Sequence, residues 1–449
     1  MIFPSRRGFL AASVGALAAA PLFAADQTIA LASNPSNNPG GDDFTFAPTT
    51  LFLTWQSDPT TTMTIQWIGA VGEASDTKIA YAPLTSGSSA TTQPATSPKS
   101  IWLTQSPLLR PFPFSDLKLF RAELTGLSPG VNYQFRIGHD SPTYRFRTMP
   151  AKLTDAFHFI SGGDSGANIH AVNNNIQAAR QDPQFALIGG DLAYENGKSV
   201  ATTLAFIRNY SRTMIAKDGR MIPMIACIGN HEVDGGYDKP RAKAPFFYAL
   251  FDGLFKDTSY TALDFGDYLS LILLDTGHNS PIGGEQTSWL EKTLKARVDH
   301  PHVFAVNHVP AYPSNRKMEA IPTTQPGEQP KGGTGVGNRK YWTPLFDKYR
   351  LPVVLEHHDH TFKRTKPLID GMVNADGVIY LGDGSWGKLR APQSPQKLHF
   401  LANASRDYHL SLHCLQGEER FHLALDEFGR VMDVGHSGQR KLGVVAMPS

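Results

Sequence analysis

The sequence is short of cysteine, of net charge and of long apolar runs, and each shortage removes a class of protein. Two cysteines in 449 residues, Cys227 and Cys414, cannot staple a chain of this length, so the fold rests on buried apolar surface. Both are expected as buried free thiols, and a disulfide between them after export stays open. Lys plus Arg total 42 and Asp plus Glu 40, and without Arg6 and Arg7 the balance is 42 − 2 = 40 against 40. A neutral surface offers no field for a nucleic-acid backbone or anionic lipid, so neither a nucleic-acid scaffold role nor stable membrane insertion is expected. No stretch reaches the roughly 18 consecutive apolar residues that a spanning helix needs. No internal repeat is present. The 41% hydrophobic content excludes wholesale disorder, and 40 Gly with 32 Pro point to many turns and long loops.

What is present begins with an address. A basic pair, Arg6-Arg7, precedes the apolar run Phe9 to Ala20 and the small residues at Phe23-Ala24-Ala25, the order of an export signal. A second cleavage candidate, Ala30-Leu31-Ala32, extends the assignment of signal and linker start to residues 1–32. Ser5-Arg6-Arg7-Gly8-Phe9-Leu10 resembles the twin-arginine consensus of bacteria. That resemblance implies the twin-arginine export machinery as a partner and a periplasmic or secreted location. Folded export would let a metal be captured before release.

Residues 45–150 read as strand and turn throughout. Leu51 to Trp55 and Met63 to Trp67 partly alternate apolar with polar, Asp58-Pro59 turns between them, and Gln134 to Ile137 with Tyr144 to Arg147 form a last hairpin. Residues 84–100, rich in Ser, Thr and Pro, read as a surface loop. From 151 to 449 strands alternate with helices, the pattern of an α/β domain. Expected strands are 157–161, 185–188, 221–228, 269–274, 303–306, 353–355 and 378–381, and expected helices are 173–180, 202–216, 285–297 and 342–349. Residues 311–340 read as one long irregular segment, with the glycines of 332–338 as a flexible rim. A hairpin is expected around Glu427-Phe428-Gly429-Arg430.

Polar blocks follow five of the apolar runs: Gly163-Asp164-Ser165-Gly166, Gly190-Asp191-Leu192-Ala193-Tyr194, Gly229-Asn230-His231-Glu232, Asn307-His308 and His357-His358-Asp359-His360. At the carboxyl ends of neighbouring strands such groups converge on one crevice. Two aspartates, a tyrosine, an asparagine amide and three histidines make an oxygen and nitrogen donor set without thiolate. Such a set suits two cations of intermediate hardness better than a structural zinc. A carboxylate can bridge two ions about 3.5–4 Å apart, the spacing for in-line attack at phosphorus.

The order Asp-x-Gly, Gly-Asp-x-x-Tyr, Gly-Asn-His-Glu, a lone His and His-x-His resembles the purple acid phosphatases of the metallophosphoesterase (calcineurin-like phosphoesterase) superfamily. The resemblance implies a four-layer αββα sandwich at 151–449, preceded at 45–150 by a fibronectin-type-III-like β-sandwich. It also implies a ferric site of Asp164, Asp191, Tyr194 and His360, and a divalent site (Fe, Zn or Mn) of Asp191, Asn230, His308 and His358, with Asp191 bridging. Fe³⁺ and M²⁺ give +5, two carboxylates and a phenolate subtract 3, and the remaining +2 suits a phosphate ester dianion. By the same resemblance His231 contacts the substrate and helps protonate the leaving oxygen, Asn230 shares in substrate binding, and Glu232 orients its neighbours. The sequence departs from the pattern at His357, where the family usually has Gly, and at Phe362-Lys363. Arg316 and Lys317 stand where many members have histidines after the lone His308, and are candidates to bind phosphate. The resemblance implies hydrolysis of phosphomonoesters by metal-bound hydroxide. Its rivals are a phosphodiesterase, nucleotidase or phospholipase-type activity on the same site, and a non-catalytic surface-binding protein. Histidines 399, 409, 413, 422 and 436 are scattered and read as structural or surface residues.

Overall fold

The computed structural model describes residues 44–84, 101–153, 157–318 and 333–438. The export signal, the linker, nearly all of the 84–100 loop and part of the 311–340 segment fall outside the described residues. Among the described residues no helix is long and apolar enough to cross a membrane.

The all-β part is two four-stranded sheets. One runs β1 (Phe52–Thr54), β2 (Met63–Gly69), β6 (Lys118–Leu124), β5 (Leu108–Pro111); the other runs β4 (Leu103–Gln105), β3 (Ile79–Pro83), β7 (Asn132–Ile137), β8 (Tyr144–Arg147). Every residue of β2 is buried, and Trp67 stacks on Phe120 of β6 with centroids 4.9 Å apart, a cross-strand pair that fixes register. The strands β4 and β5 are exposed along their length. The sandwich is joined to the rest through Trp55, edge-on to Phe265 at 5.8 Å, and through Arg121. That guanidinium, 4% exposed, donates to Gln66 Oε1 at 2.7 Å and the Leu250 carbonyl at 3.0 Å, and pairs with Asp252.

The α/β part is two sheets face to face. The first has the order β11 (Met224–Ala226), β10 (Ala186–Ile188), β9 (Phe157–Gly162), β21 (His409–Gln416), β22 (Glu419–Asp426), β23 (Val431–Ser437). The second has β12 (Thr261–Phe265), β13 (Leu269–Leu274), β14 (His302–Asn307), β15 (Val353–Glu356), β19 (Ile379–Asp383), β16 (Phe362–Thr365), β20 (Leu401–Ser405), and a small hairpin joins β17 (Leu368–Ile369) to β18 (Met372–Val373). Each sheet contains a parallel set, β11, β10 and β9 along one side of the first and β13, β14, β15 and β19 in a row in the second. Strands covered on both faces read as continuous apolar runs, and all six residues of β13, Leu-Ser-Leu-Ile-Leu-Leu, are buried.

Period-two alternation sorts the second sheet's residues between two cores. Phe304 faces Phe159 of the first sheet, with centroids 5.3 Å apart. Val303 and Ala305 turn outward into a cluster with Leu290 and Leu294 of α4 (Glu285–Lys295) and with Trp342 and Phe346. Over the first sheet lie α1 (Ile169–Arg180), capped by Asn168 Oδ1 at 3.0 Å from Ala171 N, and α2 (Val200–Thr213), capped by Ser199 Oγ at 3.2 Å from Thr202 N. The short helix α3 (Pro245–Phe251) lies between these helices and α4 in the chain. The result is a mixed α/β sandwich preceded by a β-sandwich.

Three sequence expectations change in detail. The run 221–228 pairs regularly only over Met224–Ala226, because Pro223 has no ladder donor. The helix expected at 342–349 is α6 (Thr343–Lys348), and an unexpected short helix, α5 (Val336–Tyr341), precedes it with a break at Trp342 ahead of Pro344. The glycine segment 333–338 is not a loose rim, since it enters α5 and Asn338, 1% exposed, donates to the Val309 carbonyl at 2.8 Å. The turn at 427–430 is as expected, with Asp426 Oδ1 accepting from the N–H groups of Phe428 and Arg430. Cys227 and Cys414 are free thiols.

Candidate metal centre

Each polar block follows a parallel strand at its carboxyl end. Asp164 follows β9, Asp191 follows β10, Asn230 follows β11, His308 follows β14, and His358 with His360 follows β15. The two aspartate loops are zipped together, with N–H groups of Asp164, Ser165 and Gly166 donating to the carbonyls of Gly190, Asp191 and Leu192 at 3.1, 3.0 and 2.8 Å. A further bond, His357 N–H to the His308 carbonyl at 2.9 Å, ties the lone-histidine loop to the His-x-His loop. Gly190 has φ +90°, and a Cβ there would stand 2.7 Å from His308 Nδ1 and 2.9 Å from the Gly229 backbone. Only glycine lets three strand ends approach that closely.

The seven expected donors meet. One donor atom from each of Asp164, Asp191, His308 and His358 lies within 4.8 Å of the others. Tyr194 Oη is 3.1 Å from both Asp164 Oδ1 and His360 Nε2, and His360 Nε2 is 2.9 Å from Asp164 Oδ1. On the other side His308 Nε2 lies 3.3 Å from Asp191 Oδ2, 3.1 Å from Asn230 Oδ1 and 3.1 Å from His358 Nδ1. Five of these seven residues, Asp164, Asp191, Tyr194, His358 and His360, have positive φ. That backbone is strained for non-glycine residues and recurs where side chains are aimed at a function.

Surrounding groups hold the donors. The Glu232 carboxylate accepts from the N–H groups of Gly229, Asp191 and Leu192 at 2.7, 2.8 and 2.7 Å, pinning the second and third loops. The Gly189 carbonyl, 2.9 Å from His308 Nδ1, can only accept. Nδ1 therefore carries a proton, and Nε2 faces the other donors. The His231 ring packs against Tyr194 at 4.3 Å, with its Nε2 3.9 Å from Asp191 Oδ2 and its Nδ1 2.5 Å from Asn196 Oδ1. On Tyr194 also sits Lys388 Nζ, 4.1 Å from the ring centroid.

The sequence candidates Arg316 and Lys317 are placed differently from each other. Arg316 donates to the His358 carbonyl at 2.8 Å and lies 3.3 Å from Asp359 Oδ1, so it wraps the His-x-His turn. Lys317 is exposed, and its carbonyl accepts from Thr334 N–H. His357 turns away from the donors into the space between the sheets, where its Nδ1 lies 2.5 Å from Asp383 Oδ1. Its ring fills the place a side chain on Gly189 would take, since a Cβ there would stand 1.6 Å from His357 Nε2. Asn196, Lys388 and Asp383 carry no sequence signal beyond their polarity; only the folded arrangement brings them in.

Electrostatics show what the cage is built for. Burial would by itself raise Asp191 and lower His308, but each outweighs burial for the other. Asp191 is held far below the usual carboxylate range, chiefly by the His308 charge, and His308 is raised to about 9, chiefly by Asp191. The carboxylates thus demand positive charge, which a proton on His308 supplies in part. Asp191 Oδ2, fully buried, accepts no hydrogen bond. A buried carboxylate oxygen without a hydrogen bond, among imidazole nitrogens, an amide oxygen and a phenol, fits hard to intermediate cations. Burial, followed by the charges of Asp164 and Asp191, pushes the Tyr194 phenol well above its usual range. Only a strongly charged ion would ionise it.

Comparison with known proteins gives a consistent placement. Residues 48–148 match the family model "Purple acid Phosphatase, N-terminal domain", and residues 157–362 match "Calcineurin-like phosphoesterase". Purple acid phosphatase 21 of Arabidopsis thaliana is 23% identical over 301 residues, 63% of this chain and 63% of that protein. The chain spans between about half and just under two thirds of the length of such curated relatives. The purple acid phosphatase PPD1 from yellow lupin (Lupinus luteus) seeds superposes with a TM-score of 0.66 at 16% identity, covering 87% of this chain and 74% of that one. The structure of PhoD superposes with a TM-score of 0.58 at 12% identity, covering 91% and 95%.

Proposed function

Because the chain belongs to the calcineurin-like phosphoesterases and carries the N-terminal domain of the purple acid phosphatases, we propose that it is an exported dinuclear-metal phosphohydrolase acting on phosphomonoesters. The observation that carries this reading is the convergence of seven donors: Asp164, Asp191, His308 and His358 within 4.8 Å of one another, with Tyr194 and His360 against Asp164 and Asn230 against His308. In this assignment Asp164, Asp191, Tyr194 and His360 hold a ferric ion, and Asp191, Asn230, His308 and His358 hold a divalent ion (Fe, Zn or Mn). When bound, the pair would lower the pKa of a coordinated water toward 7 and neutralise charge on the phosphoryl group.

The chain's own groups do the rest. Asn196 Oδ1, 2.5 Å from His231 Nδ1, fixes the ring so that Nε2 faces the donors, where it can give a proton to the departing oxygen. The Asn230 amide lies at the same mouth and contributes to substrate binding. Arg316, anchored on Asp359 and the His358 carbonyl, keeps its charge beside the second site, while Lys317 remains an exposed cation for the phosphate's approach. The string Ser5-Arg6-Arg7-Gly8-Phe9-Leu10 supports export through the twin-arginine machinery to the periplasm or beyond. A small phosphate ester is the partner the site calls for.

The test is metal analysis of the purified protein alongside rates on an aryl phosphomonoester and its diester analogue. Monoester turnover with bound metal is expected. A diester preference above about tenfold, roughly 1.4 kcal/mol in the transition state, would overturn the monoester assignment. Bound metal without turnover on any ester would favour a binding protein. His231→Asn should slow alkyl esters, which need a proton, more than aryl esters, with a loss of about 10²–10⁴ for the former. Equal losses on both would remove the proton-donor role.

A further inference from the structure

Directly after the Gly229–Glu232 turn the chain reads Val233-Asp234-Gly235-Gly236-Tyr237, and Tyr237 has no part in the metal cage. Gly235 and Gly236 have φ of +98° and +75°, a turn that leaves Tyr237 41% exposed. An exposed aromatic is ordinarily mobile, yet this one is fixed. Its ring packs on His278 with centroids 4.8 Å and planes 37° apart. His278, fully buried, is itself locked: its Nδ1 lies 2.9 Å from the Gly236 carbonyl, its Nε2 2.9 Å from Thr276 Oγ1, and its N–H donates to Asp275 Oδ1 at 2.7 Å. Two backbone bonds zip the segments together, Asp238 N–H to the Gly277 carbonyl at 2.9 Å and Lys239 N–H to the His278 carbonyl at 3.0 Å.

This fixed ring stands beside the second metal position. The His278 ring is 5.7 Å from that of His308, and a Cβ on Gly236 would lie 3.8 Å from Asn230 Cβ. An exposed aromatic ring fixed beside that position is preorganised to stack on a flat group attached to the phosphate.

We propose that Tyr237, backed by His278, is a subsite for the planar aromatic portion of the leaving group. The favoured substrates are then phosphate esters carrying such a ring. Phenolic esters and nucleoside monophosphates share this chemistry. The inference rests on the phosphatase reading above, and its test uses ligands that do not depend on turnover.

Phenylphosphonate and methylphosphonate differ in the ring and have no ester bond to cleave. Calorimetry on the metal-loaded protein should give wild type a preference for phenylphosphonate of roughly tenfold, the scale of one stacking contact. Tyr237→Leu should bring that ratio close to one, and Tyr237→Phe should restore it. A ratio that Tyr237→Leu does not move, or that falls equally in Tyr237→Phe, overturns the subsite. A wild type that hydrolyses no ester would defeat the phosphatase reading while the binding ratio still judged the subsite. In turnover, kcat/KM on phenyl phosphate and on a nucleoside 5′-monophosphate, each relative to glycerol phosphate, separates the two sources. The larger loss in Tyr237→Leu marks whether the ring lies next to the ester oxygen or beyond a sugar.

Discussion

The β-sandwich and the α/β part distribute irregular backbone very differently. Among the described residues eleven non-glycine residues have positive φ, and Phe114 is the one in the sandwich. Six of the others, Asp164, Asp191, Tyr194, Asn196, His358 and His360, lie in or against the metal cage. Buried polar groups divide in the same way. In the sandwich, Arg121 and Gln66 are turned toward the Leu250 carbonyl and Asp252, where they dock one part on the other. In the α/β part, polar residues enter the space between the sheets itself, as in the run from Asp383 through Ser161 to His413 and on to His422. The first region is regular ladder plus adhesive, whereas the second stores strain and buried polarity around a task. Changes in the sandwich should therefore alter stability alone, and changes at the strand ends should alter metal and chemistry.

The largest effect is expected at the bridge. Asp191→Asn removes the charge that answers both cations, and activity should fall by about 10⁴-fold or more while the melting temperature holds or rises. A variant that kept both metals would break the contrast. Next, Arg121→Ala strips a buried guanidinium from Asp252, Gln66 and the Leu250 carbonyl, and should cost about 3 kcal/mol in urea unfolding with metal content intact. Loss of metal in that variant would show the two parts to be functionally joined.

Acid should separate the regions further. Burial lowers His302, His409 and His413 to about 3, 4 and 4, while an unfolded histidine titrates near 6.5. Above pH 6.5 neither state is protonated. Below it the unfolded chain takes up protons that the folded chain refuses down to about pH 4, so stability falls as pH drops through that window. At pH 5 the cost is about 2 kcal/mol per histidine. The sandwich has one described histidine, the exposed His139. Hydrogen exchange at pH 5 should thus open the ladders of β21 and β22 before those of β2 and β6. The smallest effect is expected from Glu232→Gln, which keeps shape but weakens acceptance from three N–H groups, and should lower metal affinity about tenfold.

Much of this was legible in the sequence because it is local. The apolar runs of β9, β14 and β15, and the polar block after each strand, sit in consecutive letters, and the topological rule for strand ends does the gathering. What was not legible depends on residues far apart. His413 reads as bland because its partner Ser161 is 252 positions away. His357 reads only as a departure from the family pattern, yet its ring turns between the sheets because the absent side chain of Gly189 leaves room there. Arg316 reads as a candidate to bind phosphate, whereas Asp359, beyond the next strand in the chain, holds it on the His-x-His turn. The twin-arginine segment and the 84–100 loop belong to sequence reasoning alone, apart from Leu84 at the loop's start.

The central claim is that seven side chains from five strand ends hold a pair of cations. Metal content measured per chain, together with the visible spectrum, tests it most directly. The account predicts about two metal ions per chain, one of them iron, and a visible absorption band that Tyr194→Phe abolishes with the fold retained. A colourless, iron-free protein that is active with zinc or manganese would contradict the ferric–tyrosinate assignment. Metal content unchanged by Asp191→Asn would contradict the cage itself.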